Sequence, residues 1–271
     1  MARAAQEERL RLLADPLIVA SFSVATARPQ PFPGLVLDGR LRAAAVLPLS
    51  RELLADHHPL GASTGYMAAR REDWATLVRR ACDTSTFAVE LSALSERELP
   101  GLLAFLADRP RLPFQYLSVH APTKGLRRPE PELVALLRSL PGHVDAIVVH
   151  PDTIRDPEAW RPLGHRLLLE NMDTRKPVGQ RPEQLAELFA VLPGAGFCLD
   201  VAHAAAVDGS MRLAHALLDA HGARLRQVHL SSLRRDRGSH VSLTRRDELR
   251  FAPVLRRCPD VPWILEAPPP R

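Results

Sequence analysis

From about residue 60 onward the chain alternates short apolar runs with amphipathic stretches. The apolar runs are "LGASTGYM", "FAVELSAL", "FQYLSVHAP", "DAIVVHP", "RLLLENM", "GFCLDVAH", "LRQVHLSS" and "VPWILEAP". The stretches between them carry helical spacing. Leu133, Leu136, Leu137 and Leu140 fall at i, i+3, i+4 and i+7, and Leu185, Leu188, Phe189 and Leu192 repeat that pattern. Start signals precede several of them. Ser95 and Glu98 form a capping box, and Asp156 with Pro157 reads as a cap and first helical residue. The count is eight apolar runs and seven helical patterns. Unbroken apolar strands separated by amphipathic helices imply parallel pairing with crossover helices. Eight units predict an α/β fold, a (β/α)8 TIM barrel with an N-terminal extension. The competing topology is an open doubly wound sheet, which would not bring all the strand ends to one rim.

Residues 1–58 lie outside the repeat. "RPQPFPG" is a proline-rich break, "GLVLDGRLRAAAVL" carries an Asp-Gly hairpin signal, and "SRELLADHH" reads as a short helix. The expected division is an N-terminal extension over 1–58, with a helix and a hairpin, and a TIM-barrel metal-dependent catalytic domain over 59–271. No apolar run approaches the ~18 residues of a membrane span. The N-terminus lacks the long apolar core of a secretory signal. Cys82, Cys198 and Cys258 are far apart with no CxxC, which argues against a disulfide framework and a cysteine zinc site. A cytoplasmic location is expected on these grounds.

The polar residues at the strand ends carry the chemistry. The second run ends with Glu90, the third with His120, the fourth with His150 and the fifth with Glu170. The sixth carries Asp200 and then His203, the seventh His229 with His240 in the loop beyond, and the eighth Glu266. In a barrel these ends converge on the rim where active sites lie. Clustered carboxylates repel one another and raise each other's pKa, and divalent cations such as Zn, Mn, Fe or Co relieve that repulsion with mixed nitrogen and oxygen ligands. His57, His58, His143, His165, His215 and His221 fall outside the series and read as solvated helix or loop residues.

Charge adds a substrate class. The net charge of +5 favours anionic partners. Lys124, Arg127 and Arg128 follow the third run, Arg175, Lys176 and Arg181 the fifth, and Arg234, Arg235, Arg237, Arg245 and Arg246 surround His240. This basic rim suits phosphate or carboxylate groups, with Lys124, Arg175, Lys176 and Arg235 as expected substrate contacts; Glu90 is grouped with them, its alternatives being to orient a ligand, pair with an arginine or cap the barrel. Tyr66 and Tyr116 are the only tyrosines, which weakens a case for stacking on single-stranded bases.

The ordered series "VHAP", "VVHPD", "LLLENM", "CLDVAHA", "QVHLSS", "GSHVSL" and "ILEAP" resembles the xylose-isomerase-like TIM-barrel superfamily over about residues 60–268. The superfamily includes sugar isomerases, sugar epimerases and endonuclease IV, and the local likeness is greatest to endonuclease IV. The resemblance implies that His120 and His150 bind one metal and that Glu170 bridges to a second. Asp200, His229 and Glu266 complete that second site, and His203 and His240 match two ligands of a third. It departs from the family at Gly238, where endonuclease IV carries an Asp two residues before the His matched by His240.

The leading expectation is a divalent-metal-dependent enzyme with two or three ions (Zn, Mn or Fe) acting on an anionic small molecule or nucleic acid, most concretely in phosphoester hydrolysis. Glu170 and Glu266 are its catalytic carboxylates, without a membrane partner. One alternative is a sugar or sugar-phosphate isomerase or epimerase using one metal and these two glutamates. Another is oxidative chemistry at a multinuclear iron site, and a last one is a barrel that binds without turnover. The sequence leaves the oligomeric state open.

Overall fold

The computed structural model describes residues 59–67, 71–108, 112–234 and 239–269. The expected helix and hairpin of residues 1–58, Arg235 and Gly238 lie outside the described residues.

The apolar runs form a closed parallel barrel. Its strands are β1 (Leu60–Ser63), β2 (Ala88–Ser92), β3 (Tyr116–His120), β4 (Ala146–Val149), β5 (Leu167–Glu170), β6 (Gly196–Asp200), β7 (Leu225–Leu230) and β10 (Trp263–Leu265), with β10 closing onto β1. A short antiparallel pair, β8 (Ser232–Leu233) and β9 (His240–Val241), stands between β7 and β10. The connecting helices are α1 (Trp74–Cys82), α2 (Leu99–Ala107), α3 (Glu130–Arg138), α4 (Pro182–Val191), α5 (Val201–Val207), α6 (Arg212–His221) and α7 (Arg245–Leu255). The crossover from β4 to β5 is not an α-helix. Asp156 caps it and Pro157 opens it as expected, but Pro162 and Gly164 (φ 56°) hold Pro157–Arg166 in short 3-10 turns.

Each strand is buried on both faces, and its residues alternate between two apolar layers. Val89, Leu91, Val119, Ile147, Leu169, Phe197, Leu199 and Val228 point outward and pack with the helices. Ala88, Tyr116, Ala146, Val148, Leu168, Cys198 and Ile264 fill the barrel interior. The helical spacing read from the sequence supplies the outer layer: Leu133, Leu137 and Leu140 are buried on α3 and its end, and Leu185, Leu188 and Phe189 on α4.

Gly61 shows how tight the interior is. A Cβ there would lie 2.6 Å from Ile264 Cδ1 and 2.7 Å from both Ala88 Cβ and the Ala88 carbonyl oxygen. All three belong to the strands paired with β1, and the two on Ala88 are fixed to the backbone, so relief requires the barrel wall to move. Gly61→Ala is expected to destabilise the protein by about 1–3 kcal/mol. A thermal melt checks this, and an unchanged Tm would show that β1 has room to shift.

Among the histidines expected to be solvated, His143 and His165 are exposed. His221 is a correction. It is buried at 7% exposure, with Nε2 2.9 Å from the Pro182 carbonyl and its ring 5.0 Å from Phe189, tying α6 to the start of α4. Among the described residues, no helix is long and apolar enough to cross a membrane.

Candidate metal centre

The inward alternation delivers the polar residues to the barrel mouth. On β3, Tyr116, Ser118 and His120 share the interior face, as do Gln227 and His229 on β7 and Cys198 and Asp200 on β6. Register then sets neighbours side by side: His120 is opposite Val148, Glu170 opposite Cys198, and Asp200 opposite His229. His150 and Glu266 sit one residue past β4 and β10. Asp200 ends β6 and caps α5, its Oδ1 accepting from the His203 backbone N–H at 2.8 Å. This is why the strand can pass straight into a helix that carries a second ligand.

The side chains converge in three groups whose ligand atoms lie within 4.8 Å of one another: His120, His150 and Glu170; Glu170, Asp200, His229 and Glu266; and Asp200, His203 and His240. Glu170 is central. Its Oε2 is 3.4 Å from His120 Nε2 and 3.2 Å from His150 Nε2. Its Oε1 is 3.2 Å from His203 Nδ1 and 3.3 Å from His229 Nδ1. Glu266 Oε1 is 3.3 Å from His229 Nδ1, and its Oε2 is 3.3 Å from His240 Nδ1. In the third group the carboxylate comes from Asp200, whose Oδ2 is 3.2 Å from His203 Nδ1.

Metal ions fit this donor set. Glu170 Oε2, Asp200 Oδ2, His229 Nδ1 and Glu266 Oε2 are buried and make no hydrogen bond. Orphaned buried polar atoms cost free energy, and cations held among these residues would satisfy them. The tautomers agree. His120 Nδ1 lies 2.9 Å from the Ala121 carbonyl and donates to it, which leaves Nε2 for a cation. His229 Nε2 lies 2.9 Å from Glu90 Oε2, which leaves Nδ1 facing Glu170 and Glu266.

The electrostatics of the metal-free protein follow from burial and crowding. Burial opposes the charge on Glu170, but the His229 and His150 imidazoles outweigh it and hold this carboxyl well below the usual range. Burial pushes the Glu266 carboxyl well above its usual value, against the pull of His229, and Asp200 and Glu170 add repulsion. Burial lowers His150 and takes His240 down to about 4. Burial disfavours charge on His203 too, yet the Asp200 and Glu170 carboxylates raise it to about 10. His229 is raised well above its usual value, burial being outweighed by the anionic groups around it, Glu266, Glu90 and Glu170 among them.

Raised in this way, His203 and His229 favour their protonated forms when no cation is bound. Cations need these ligands neutral, so metal uptake is expected to release protons, and affinity to rise with pH toward about 10. The stability linkage has a definite sign. A His whose folded pKa is raised stabilises fully below its ordinary value near ~6.5, and that stability is lost as pH rises through about 10. Metal-free protein should thus lose stability through the alkaline range. Calorimetry of metal binding in buffers of different ionisation enthalpy, with melts of chelated protein across pH, checks both. Uptake without proton release would contradict protonated His203 and His229.

The expected substrate contacts divide differently. Glu90 is a correction: β2 continues to Ser92, so Glu90 lies below the rim at 0% exposure, beneath His229 and out of reach of substrate. Lys124 is exposed, and its backbone pairs with Leu94 and Ser95, outside the three groups. Lys176 Nζ is 2.6 Å from Asp152 Oδ2, and Arg175 Nε is 2.7 Å from Asp173 Oδ2, so each cation is held in place by a carboxylate beside it. Arg235 lies outside the described residues.

Sequence reasoning missed several supporting residues. Asn171 clamps Asp200, its Nδ2 donating to the Asp200 carbonyl at 2.9 Å while its Oδ1 accepts from the Asp200 N–H at 2.8 Å. Ser231 Oγ is 2.8 Å from His240 Nδ1. Gln227 Nε2 is 2.8 Å from Glu90 Oε2, and its Oε1 accepts from Tyr116 Oη at 3.0 Å. The signal for Gln227 was its place two residues before His229, the spacing of one strand face.

No protein-family model matches the chain, and no curated protein is significantly similar to it. Among solved structures it is similar to endonuclease IV from Thermus thermophilus, at 26% identity and a TM-score of 0.49 over 78% of this chain and 92% of that one. It is also similar to a xylose isomerase-like TIM barrel protein from Mycobacterium smegmatis in complex with magnesium, at 14% identity and a TM-score of 0.48 over 77% and 90%. The closed barrel and the His, Asp and Glu residues gathered at its strand ends are the arrangement that the sequence resemblance to the xylose-isomerase-like TIM-barrel superfamily implies.

Proposed function

We propose that the chain is a divalent-metal-dependent phosphoester hydrolase holding two or more ions. One observation carries the reading. The two oxygens of Glu170 are divided, Oε2 toward His120 and His150 and Oε1 toward His229, so a single buried carboxylate is shared by two candidate ligand groups. Bound there, divalent cations supply Lewis-acid charge at a phosphoryl oxygen and lower the pKa of water. The chain supplies position. Glu170 and Asp200 are 1% and 0% exposed and are held to ligation. Glu266 is 13% exposed at the mouth and is placed to orient water arriving from the rim. The substrate class is an anionic small molecule or a nucleic acid strand, in keeping with the net charge of +5.

Metal content per chain, on protein purified without chelator, tests the reading together with phosphodiesterase assays on abasic DNA and a chromogenic diester. Two or three zinc or manganese ions are expected, with activity abolished by chelation and restored by metal. Iron would direct the assay to oxygen consumption, and no metal after reconstitution would sink the proposal.

A second reading rests on a separate observation. Glu170 Oε1 and Glu266 Oε1 converge on His229 Nδ1 at 3.3 Å each, and their pKa values are displaced in opposite directions. One carboxyl kept ionised beside one kept protonated suits proton transfer between adjacent carbons, as in an isomerase or epimerase holding one ion. Solvent deuterium in the product of a sugar-phosphate panel would favour it.

A further inference from the structure

Beside the metal centre lies a second cavity, a cleft of about 720 Å³ between α5 and α7. It shares walls with the third ligand group. Ala202 precedes His203 on α5, and Leu233 pairs with His240 across β8 and β9. Its floor is made of Ala202, Ala205, Ala206 and Gly209, residues too small to fill the space.

Its walls are rich in arginine. Arg175, Arg234, Arg246 and Arg250 line it against two acids, Asp173 and Asp247. The acids hold two of the arginines in place: Arg175 Nε lies 2.7 Å from Asp173 Oδ2, and Arg250 Nη2 lies 2.8 Å from Asp247 Oδ1. Arg250 also packs over the Phe251 ring at 5.2 Å, and its Nε is buried without a hydrogen-bond partner. Arg246 has no ion-pair partner among the described residues, whereas its neighbour Arg245 is matched by Glu248 at 3.1 Å. Arg246 also stands in the first turn of α7, where the helix dipole disfavours a cation. A bound anion would offset both deficits.

We infer that this cleft is a phosphate subsite, taking an uncleaved phosphate monoester of the substrate beside the metal centre. Arginine forks held by carboxylates are preorganised for phosphate oxygens, and the cavity volume suits one sugar phosphate or one terminal nucleotide rather than a long strand. That the phosphate belongs to the substrate rests on the proposed hydrolase. That the cleft binds phosphate does not.

Calorimetric titration of the full chain with inorganic phosphate separates the two. Expected is one phosphate per chain that Arg246→Glu weakens by about tenfold or more and that survives chelation or Glu170→Gln. Ala206→Leu, which fills the exposed floor and leaves every charge in place, should weaken it as well. Ribose 5-phosphate binding more tightly than a 5′-phosphorylated dinucleotide would assign the group to a free metabolite, and the reverse order to a strand end; either supports the subsite. Phosphate that binds only with metal present, is lost in Glu170→Gln and is unmoved by Arg246→Glu would overturn it while leaving the metal centre intact. Absence of any binding at millimolar phosphate would overturn it too.

Discussion

Replacing Glu170 by Gln is expected to lower turnover by about two to three orders of magnitude, the scale of losing one preorganised electrostatic contact, and to lower metal content with it. The side chain is 1% exposed and lies within 3.4 Å of nitrogens from His120, His150, His203 and His229. The amide keeps the volume and removes the charge. It also replaces one acceptor oxygen with an N–H2 group that must face imidazole nitrogens on one side or the other. Either orientation spoils one of the two ligand groups, so the loss should show as fewer ions per chain and not only as slower chemistry. Elemental analysis beside a diesterase assay reads both, and circular dichroism shows whether the barrel persists. Full activity with full metal content would remove Glu170 from the centre of the site.

The barrel was legible because its period is coarse. Eight apolar runs separated by seven helical patterns are sufficient to imply parallel strands and crossover helices, and the strands were found where the runs lie. The ligand series was legible because a barrel converts position at a strand end into proximity. His120, Glu170, Asp200 and His229 are tens of residues apart in sequence and share groups in space. What was not legible depended on depth within a strand. "FAVELSAL" does not show that pairing runs on past Glu90 to Ser92, which sinks that carboxylate below the rim. Nor does a rim lysine reveal its own neutralisation: Lys176 meets Asp152, which sits on the preceding crossover. His221 was misplaced for a similar reason, because its partner is a backbone carbonyl on another helix, invisible to any local pattern. That Asp200 and His203 lie beside His240 was hidden as well, because it depends on where the chain brings β9 to the end of β6 and the start of α5.

The buried position of Glu90 leads to the second large effect: Glu90→Gln is expected to weaken metal binding by about 10–100-fold without altering any ligand. Glu90 Oε2 is the common acceptor for Gln227 Nε2 at 2.8 Å and His229 Nε2 at 2.9 Å, and Gln227 is held in turn by Tyr116. The carboxylate fixes the His229 tautomer that turns Nδ1 toward Glu170 and Glu266, and its charge makes that nitrogen a stronger donor. Burial opposes this charge, yet His229 and His120 hold the Glu90 carboxyl down at about 2, so it remains ionised across the working range. A neutral amide removes that support in two ways that a pH series separates. At alkaline pH, where no proton competes, affinity should plateau below the wild-type level, because His229 is a weaker donor. At lower pH, the midpoint of metal uptake should move to more acidic values, because His229 no longer has a buried anion to hold its proton. A variant that was merely loosened would lose affinity equally at every pH and melt earlier. An unmoved midpoint with unchanged affinity would show that His229 is oriented by Gln227 and the strand alone.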